Sequence, residues 1–288
     1  MDTAELLKKV RKIEIKTRGL SSQVFSGEYH SAFKGRGMAF SEVREYTPGD
    51  DVRTIDWNVT ARFNSPFVKV FEEERELSVV IMVDVSASGN FGTSKQLKQE
   101  LITELCAVIS FSAVQNNDKI GVIFFSDKIE KFIPPKKGRT HILRIIRELI
   151  DFKPDNTGTN LEVALRYMTN VIKKKSIVFL ISDFLDTHHY QDALKIANRK
   201  HDLVALRIAD KNELNLPDVG LVKLRDNESG KMVWVDTGSK SFRKQMQLNQ
   251  VKLEATLKDL FTKSGVDYTN IYTHEGYIKP LMTLFKNR

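Results

Sequence analysis

The chain has 288 residues, 41% hydrophobic and 28% charged, with 45 lysines and arginines against 37 aspartates and glutamates for a formal charge of +8. A globular chain of this length buries roughly three quarters of the surface it exposes when unfolded, so it needs no disulfide or structural zinc to fold. The single cysteine, Cys106, excludes an intramolecular disulfide and a cysteine-rich metal cluster, and no apolar run approaches the ~18 residues of a membrane span.

The first segment alternates charge with Leu6, Leu7, Val10 and Ile13 and lacks the apolar core of a signal peptide. It reads as an amphipathic helix ending near Gln23. The expected location is the cytoplasm, with peripheral attachment to a membrane compatible with it. The basic excess is spread along the chain without an arginine-rich tract, which describes a solvated basic surface, and no nucleic-acid partner is expected.

Between Val24 and Arg75 the texture turns to glycine, arginine and aromatic residues with little period, which suits short strands and turns better than helix. Pro48-Gly49-Asp50 is a turn signal, proline fixing φ and glycine tolerating a positive one. Arg44, Arg53 and Arg62 with Tyr46 and Trp57 could form an anion-binding or interaction platform. The favoured account is structural: Arg44, Asp50, Asp56 and Arg62 tie this strand-poor segment to the sheet by charge-assisted hydrogen bonds.

From Leu77 onward buried strands alternate with helices. Ser78–Val85, Ile120–Phe125, Ile177–Ile181 and Leu203–Ile208 are continuous apolar runs, as in strands covered on both faces. Ile129–Ile133 reads as an edge strand stopped by Pro134-Pro135. Helical spacing marks Leu97 to Ile109, Ile142 to Leu149, Leu161 to Ile172, Ala193 to Ala197, Phe242 to Lys263 and Tyr277 to Phe285, with a last strand at Val266–Tyr272. Leu221–Leu224 and Met232–Val235 flank Asn227-Glu-Ser-Gly230 as a hairpin inserted around 219–237. The expectation is an α/β fold with a doubly wound, mostly parallel sheet flanked by helices over 77–288, preceded by a strand- and turn-rich extension over 1–76.

The two most apolar strands both run into oxygen-bearing side chains, Asp84-Val-Ser86-Ala-Ser88 and Ser182-Asp183. In an open α/β sheet, ligands bind beyond the carboxyl ends of the strands where the topology reverses. Thr159, opening the Leu161 helix, adds a hydroxyl from another loop, although capping of that helix is a competing role for it. Two carboxylates and three hydroxyls, with no histidine or cysteine, are hard donors that favour Mg²⁺ or Mn²⁺ over zinc. Two carboxylates balance a divalent charge and leave the ion able to accept a carboxylate from a partner. His188-His189 read as surface residues and Cys106 as a buried small hydrophobe. Gly35-Arg-Gly-Met-Ala-Phe40 follows no strand and Gly89–Lys95 misses the P-loop spacing, so neither reads as a nucleotide loop.

Asp84-x-Ser86-x-Ser88 with Thr159 and Asp183 resembles the metal-ion-dependent adhesion site of von Willebrand factor A domains. Gly35-x-Gly-x-x-Phe40, Val43–Tyr46, Pro48–Arg53, Ile55-Asp-Trp57, Ala61-Arg62, Glu72–Arg75 and Ile181–Phe184 resemble the signature of von Willebrand factor A-like proteins encoded beside MoxR-type AAA+ ATPases. The resemblance implies a non-enzymatic, Mg²⁺-dependent interaction module, an adaptor between a MoxR-type chaperone ATPase and a client protein bearing an acidic residue. In that family pattern Ser86, Ser88 and Thr159 are candidate direct ligands, and Asp84 and Asp183 ligate directly or through water. The rival expectation is a Mg²⁺-dependent hydrolase, phosphatase- or nuclease-like, using Asp84 and Asp183. It lacks a second acid–base pair and a phosphate loop.

Overall fold

The computed structural model describes residues 10–11, 13–14, 17, 38–63, 65–73, 77–86, 98–156, 158–210, 217–225 and 232–288. The contacts divide the chain into residues 33–77 and a second unit of 1–32 with 78–288.

In the smaller unit, β1 (Met38–Glu45) pairs antiparallel with β2 (Phe67–Glu73). Between them lie a 3₁₀ turn at Val52–Thr54 and a short helix α1 (Trp57–Phe63), where turns and strands alone were expected. The helix starts because Asp56 Oδ1 accepts the N–H groups of Asn58 at 2.9 Å and Val59 at 3.3 Å, satisfying donors a first turn leaves open. The turn at Pro48-Gly49 has Gly49 at φ 111°, and Arg44 grips Asp50 with two bonds of 2.8 and 2.6 Å. That guanidinium, followed by the Thr47 N–H, holds the Asp50 carboxyl well below the usual carboxylate range. Asp56 pairs with Lys69 on β2 at 3.3 Å. The expected charged ties are therefore internal to this unit, and Arg62 is exposed rather than part of them. Arg53 is likewise exposed, and Trp57 is 70% exposed.

In the larger unit the apolar runs form one six-stranded sheet of β3 (Ser78–Asp84), β4 (Lys119–Phe125), β5 (Ile129–Lys136), β6 (Ile177–Ser182), β7 (Asp202–Ala209) and β10 (Asp267–Tyr272). The order is β10-β7-β6-β3-β4-β5, parallel except for β5 on β4. From β3 the chain first winds outward to β4, then returns to β6 on the other side, so the winding reverses between β3 and β6. Helix α2 (Lys98–Gln115) is buried along most of its length, including the polar Thr103, Glu104, Ser110 and Ser112, so its sequence shows no single apolar stripe. Helices α3 (Arg139–Asp151), α4 (Leu161–Val171) and α5 (Gln191–Lys200) bury one stripe each. Helices α6 (Lys240–Ser264) and α7 (Ile278–Lys286) follow later in the chain. Among residues 10–17, Val10 and Thr17 are buried and Glu14 bonds Arg139 at 2.7 Å, while Leu6 and Leu7 lie outside the described residues. The hairpin β8 (Leu221–Arg225) and β9 (Met232–Asp236) leaves Trp234 62% exposed, with Lys223 over its ring at 5.8 Å. Among the described residues no helix is long and apolar enough to cross a membrane.

Strand β5 does not stop at Pro134-Pro135 but runs through them. It can, because it is an edge strand and its register slips between Ile120 and Val122, so the prolines meet Gly121 at a bulge. A Cβ on Gly121 would stand 2.8 Å from Pro135 N and 2.9 Å from Ile133 O. Gly121→Ala is expected to cost about 3 kcal/mol in denaturant unfolding, and Pro135→Ala is expected not to rescue it, since those two contacts are backbone.

Candidate functional site

The reversal between β3 and β6 sets two carboxyl ends side by side: Val83 is in register with Ile181, so Asp84 stands level with Ser182. Ser182 Oγ donates to Asp84 Oδ2 at 2.6 Å and Ser86 N–H donates to Oδ1 at 3.0 Å. Asp183 follows at once, its Oδ1 accepting the Leu185 N–H at 3.2 Å. Burial first, and the negative charge of Asp183 second, push the Asp84 carboxyl up to about 6. These two acids are therefore buried close enough for each to feel the other's charge.

Phe184 fixes the turn beyond Asp183. Its φ of 59° is left-handed, uncommon for a bulky residue. The ring is buried against Phe261 of α6, edge on, with centroids 5.1 Å apart. Its N–H donates to Ser182 Oγ at 3.0 Å, completing a chain from Phe184 through Ser182 to Asp84.

The third loop arrives through α4. Asn160 N–H donates to Ser126 O beyond β4 at 2.9 Å, and Leu161 N–H donates to Asp186 Oδ2 at 2.7 Å. Thr159 beside them is 8% exposed. The helix cap is Asn160, whose side chain accepts from Val163 N–H, so the competing capping role expected of Thr159 falls to its neighbour. Asp186, its side chain wholly buried, also accepts from His188 at 2.6 Å. Asp186→Ala should cost about 1–3 kcal/mol by stranding the Leu161 N–H. The exposed His188→Ala should be nearly neutral, both read by thermal unfolding.

Asp84, Ser86 and Asp183 thus stand at the switch point, and Thr159 is carried to the same edge by bonds to the β4 and β6 loops. Ser88 lies outside the described residues. Asp183 Oδ2 is buried without a hydrogen-bond partner among the described residues, and Lys98 Nζ stands 3.6 Å from it. An oxygen-only donor set with an unsatisfied buried carboxylate oxygen fits a hard divalent cation. Among the described residues no three His, Cys, Asp or Glu side chains gather, so such an ion would depend on two carboxylates, hydroxyls and water. Beside Asp84 and Ser86 opens a cavity of about 310 Å³, lined further by Gln99, Thr103, Phe152 and Lys153.

The sequence offers Ser182 as an oxygen at a strand end but not as the residue that holds Asp84, a pairing 98 positions apart. Asp186 and Lys98 were not foreseen: Asp186 acts on a helix 25 residues earlier, and Lys98 pairs with Asp183 far along the chain.

A doubly wound, mostly parallel sheet flanked by helices, with acids and hydroxyls at its switch point, makes this an α/β protein of the expected class. The chain belongs to the family described as Protein of unknown function DUF58, whose model matches residues 42–256. It is 31% identical over 232 residues to the uncharacterized protein Rv1480 of Mycobacterium tuberculosis, covering 80% of this chain and 73% of that protein. Among solved structures, an aerotolerance-related membrane protein from Bacteroides fragilis matches with a TM-score of 0.51 and 14% identity, covering 74% of this chain and all of that one. The SpRpn10 VWA domain matches with a TM-score of 0.41 and 8% identity over 74% of this chain and 95% of that one.

Proposed function

We propose that this chain is a non-enzymatic, Mg²⁺-dependent interaction module, an adaptor that works with a MoxR-type AAA+ ATPase in assembling or maturing client complexes. The observation that carries the reading is the buried pair Asp84 and Asp183 at the switch point, Asp183 with an oxygen lacking a hydrogen-bond partner among the described residues and Asp84 tied to Ser182 and Ser86. Ser86 and Thr159, with Ser88, complete the ligand set of this reading, and Mn²⁺ would serve in place of Mg²⁺.

When bound, the ion supplies a Lewis-acid position for a partner's Asp or Glu. Asp84 and Asp183 would hold it by charge, and Ser182 orients Asp84 through a 2.6 Å bond. Asp186 keeps the loop of Thr159 against the β6 loop. The adjoining cavity offers apolar and polar walls to the residues around the captured carboxylate.

The test is a binding titration between this chain and a purified MoxR-type ATPase from the same organism, in Mg²⁺ and in EDTA. Binding in Mg²⁺ that is lost in EDTA and in Asp84→Ala supports the reading. Binding indifferent to both changes contradicts it.

A further inference from the structure

Lys98, the first described residue of α2, is 1% exposed. Lysine is almost never fully buried unless paired, because taking the ammonium out of water is costly. Its ion pair with Asp183 Oδ2 at 3.6 Å offsets that cost. That oxygen is the same one that lacks a hydrogen-bond partner among the described residues.

We infer that the Lys98 ammonium is the built-in counter-cation of the site in the metal-free chain, and that a divalent ion occupies the site by displacing it. This rests on the reading of the site as a divalent-cation site. The charge arithmetic supports it. One ammonium neutralises Asp183, whereas one divalent ion neutralises Asp183 and Asp84 together. Ammonium and divalent ion side by side would leave excess positive charge among buried groups, which is costly. Lys98 therefore raises the threshold of divalent binding and keeps Asp183 compensated when the ion is absent. A lysine serving only as structural support would give the same ion pair but no competition.

Calorimetric titration of Mg²⁺ into the whole chain separates the two. Lys98→Met is expected to bind Mg²⁺ about tenfold more tightly than wild type, because a like charge a few ångströms from the ion is gone. Lys98→Arg, which keeps the charge, should stay near wild type. In EDTA, Lys98→Met should unfold at lower denaturant than wild type, and saturating Mg²⁺ should restore it. Equal affinity in wild type and Lys98→Met overturns the inference and leaves the metal reading standing. No Mg²⁺ binding by either protein overturns both. Should Lys98→Met fail to fold, the ¹⁵N-labelled lysine ammonium signal of wild type decides: a shift of the buried Lys98 resonance on Mg²⁺ saturation supports displacement, and an unmoved resonance refutes it.

Discussion

Metal-free wild-type chain should lose about 3 kcal/mol of unfolding free energy as pH rises from about 3 to about 7, relative to Asp84→Asn. The folded Asp84 carboxyl titrates near 6 and the unfolded one near 3.8, because burial and the Asp183 charge disfavour ionisation. In that window the folded chain holds a proton that the unfolded chain has released. The stabilisation from that proton is fully present below 3.8 and lost as pH rises through the folded value, and a displacement of that size is worth about 3 kcal/mol. Asparagine cannot titrate, so its effect is a constant offset and the difference between the two proteins isolates the group. Saturating Mg²⁺ should return the lost stability to wild type above pH 6 and do nothing for Asp84→Asn. Denaturant unfolding at each pH, in EDTA and in Mg²⁺, measures all four arms; parallel curves for the two proteins would refute this account of Asp84.

The second large effect belongs to Phe184. Its ring lies in the core against Phe261, so Phe184→Ala should cost about 3–5 kcal/mol. Its φ of 59° strains any side chain by about 1–2 kcal/mol and glycine by none. Phe184→Gly should therefore be about 1 kcal/mol more stable than Phe184→Ala, though it fills less of the cavity. Both variants should weaken Mg²⁺ binding, since losing the ring on Phe261 loosens the turn whose backbone N–H holds Ser182, and Ser182 holds Asp84. Wild-type affinity in a folded Phe184→Ala would show that the turn does not set the site.

The larger sheet was legible because buried parallel strands are written as unbroken apolar runs, and Val79–Val83 and Ile177–Ile181 are wholly buried in the structure. The path of β5 through Pro134-Pro135 was not, because a bulge opposite Gly121 depends on what a neighbouring strand lacks. Helix α1 escaped detection because seven residues carry too little periodicity, and its only announcement is the Asp56 cap. At the site, Asp84, Ser86 and Asp183 could be placed from the strand ends alone. Lys98 and Asp186 could not, since each acts on a group far away in the chain and neither makes a local motif.

Soaking crystals of this chain in Mn²⁺ and recording its anomalous scattering addresses the shared cation most directly. One strong peak is expected in the space flanked by Asp84, Ser86, Thr159 and Asp183, about 2 Å from the coordinating oxygens, and absent from Asp84→Ala crystals. A featureless map there, with Lys98 still seated on Asp183 at saturating Mn²⁺, would contradict it.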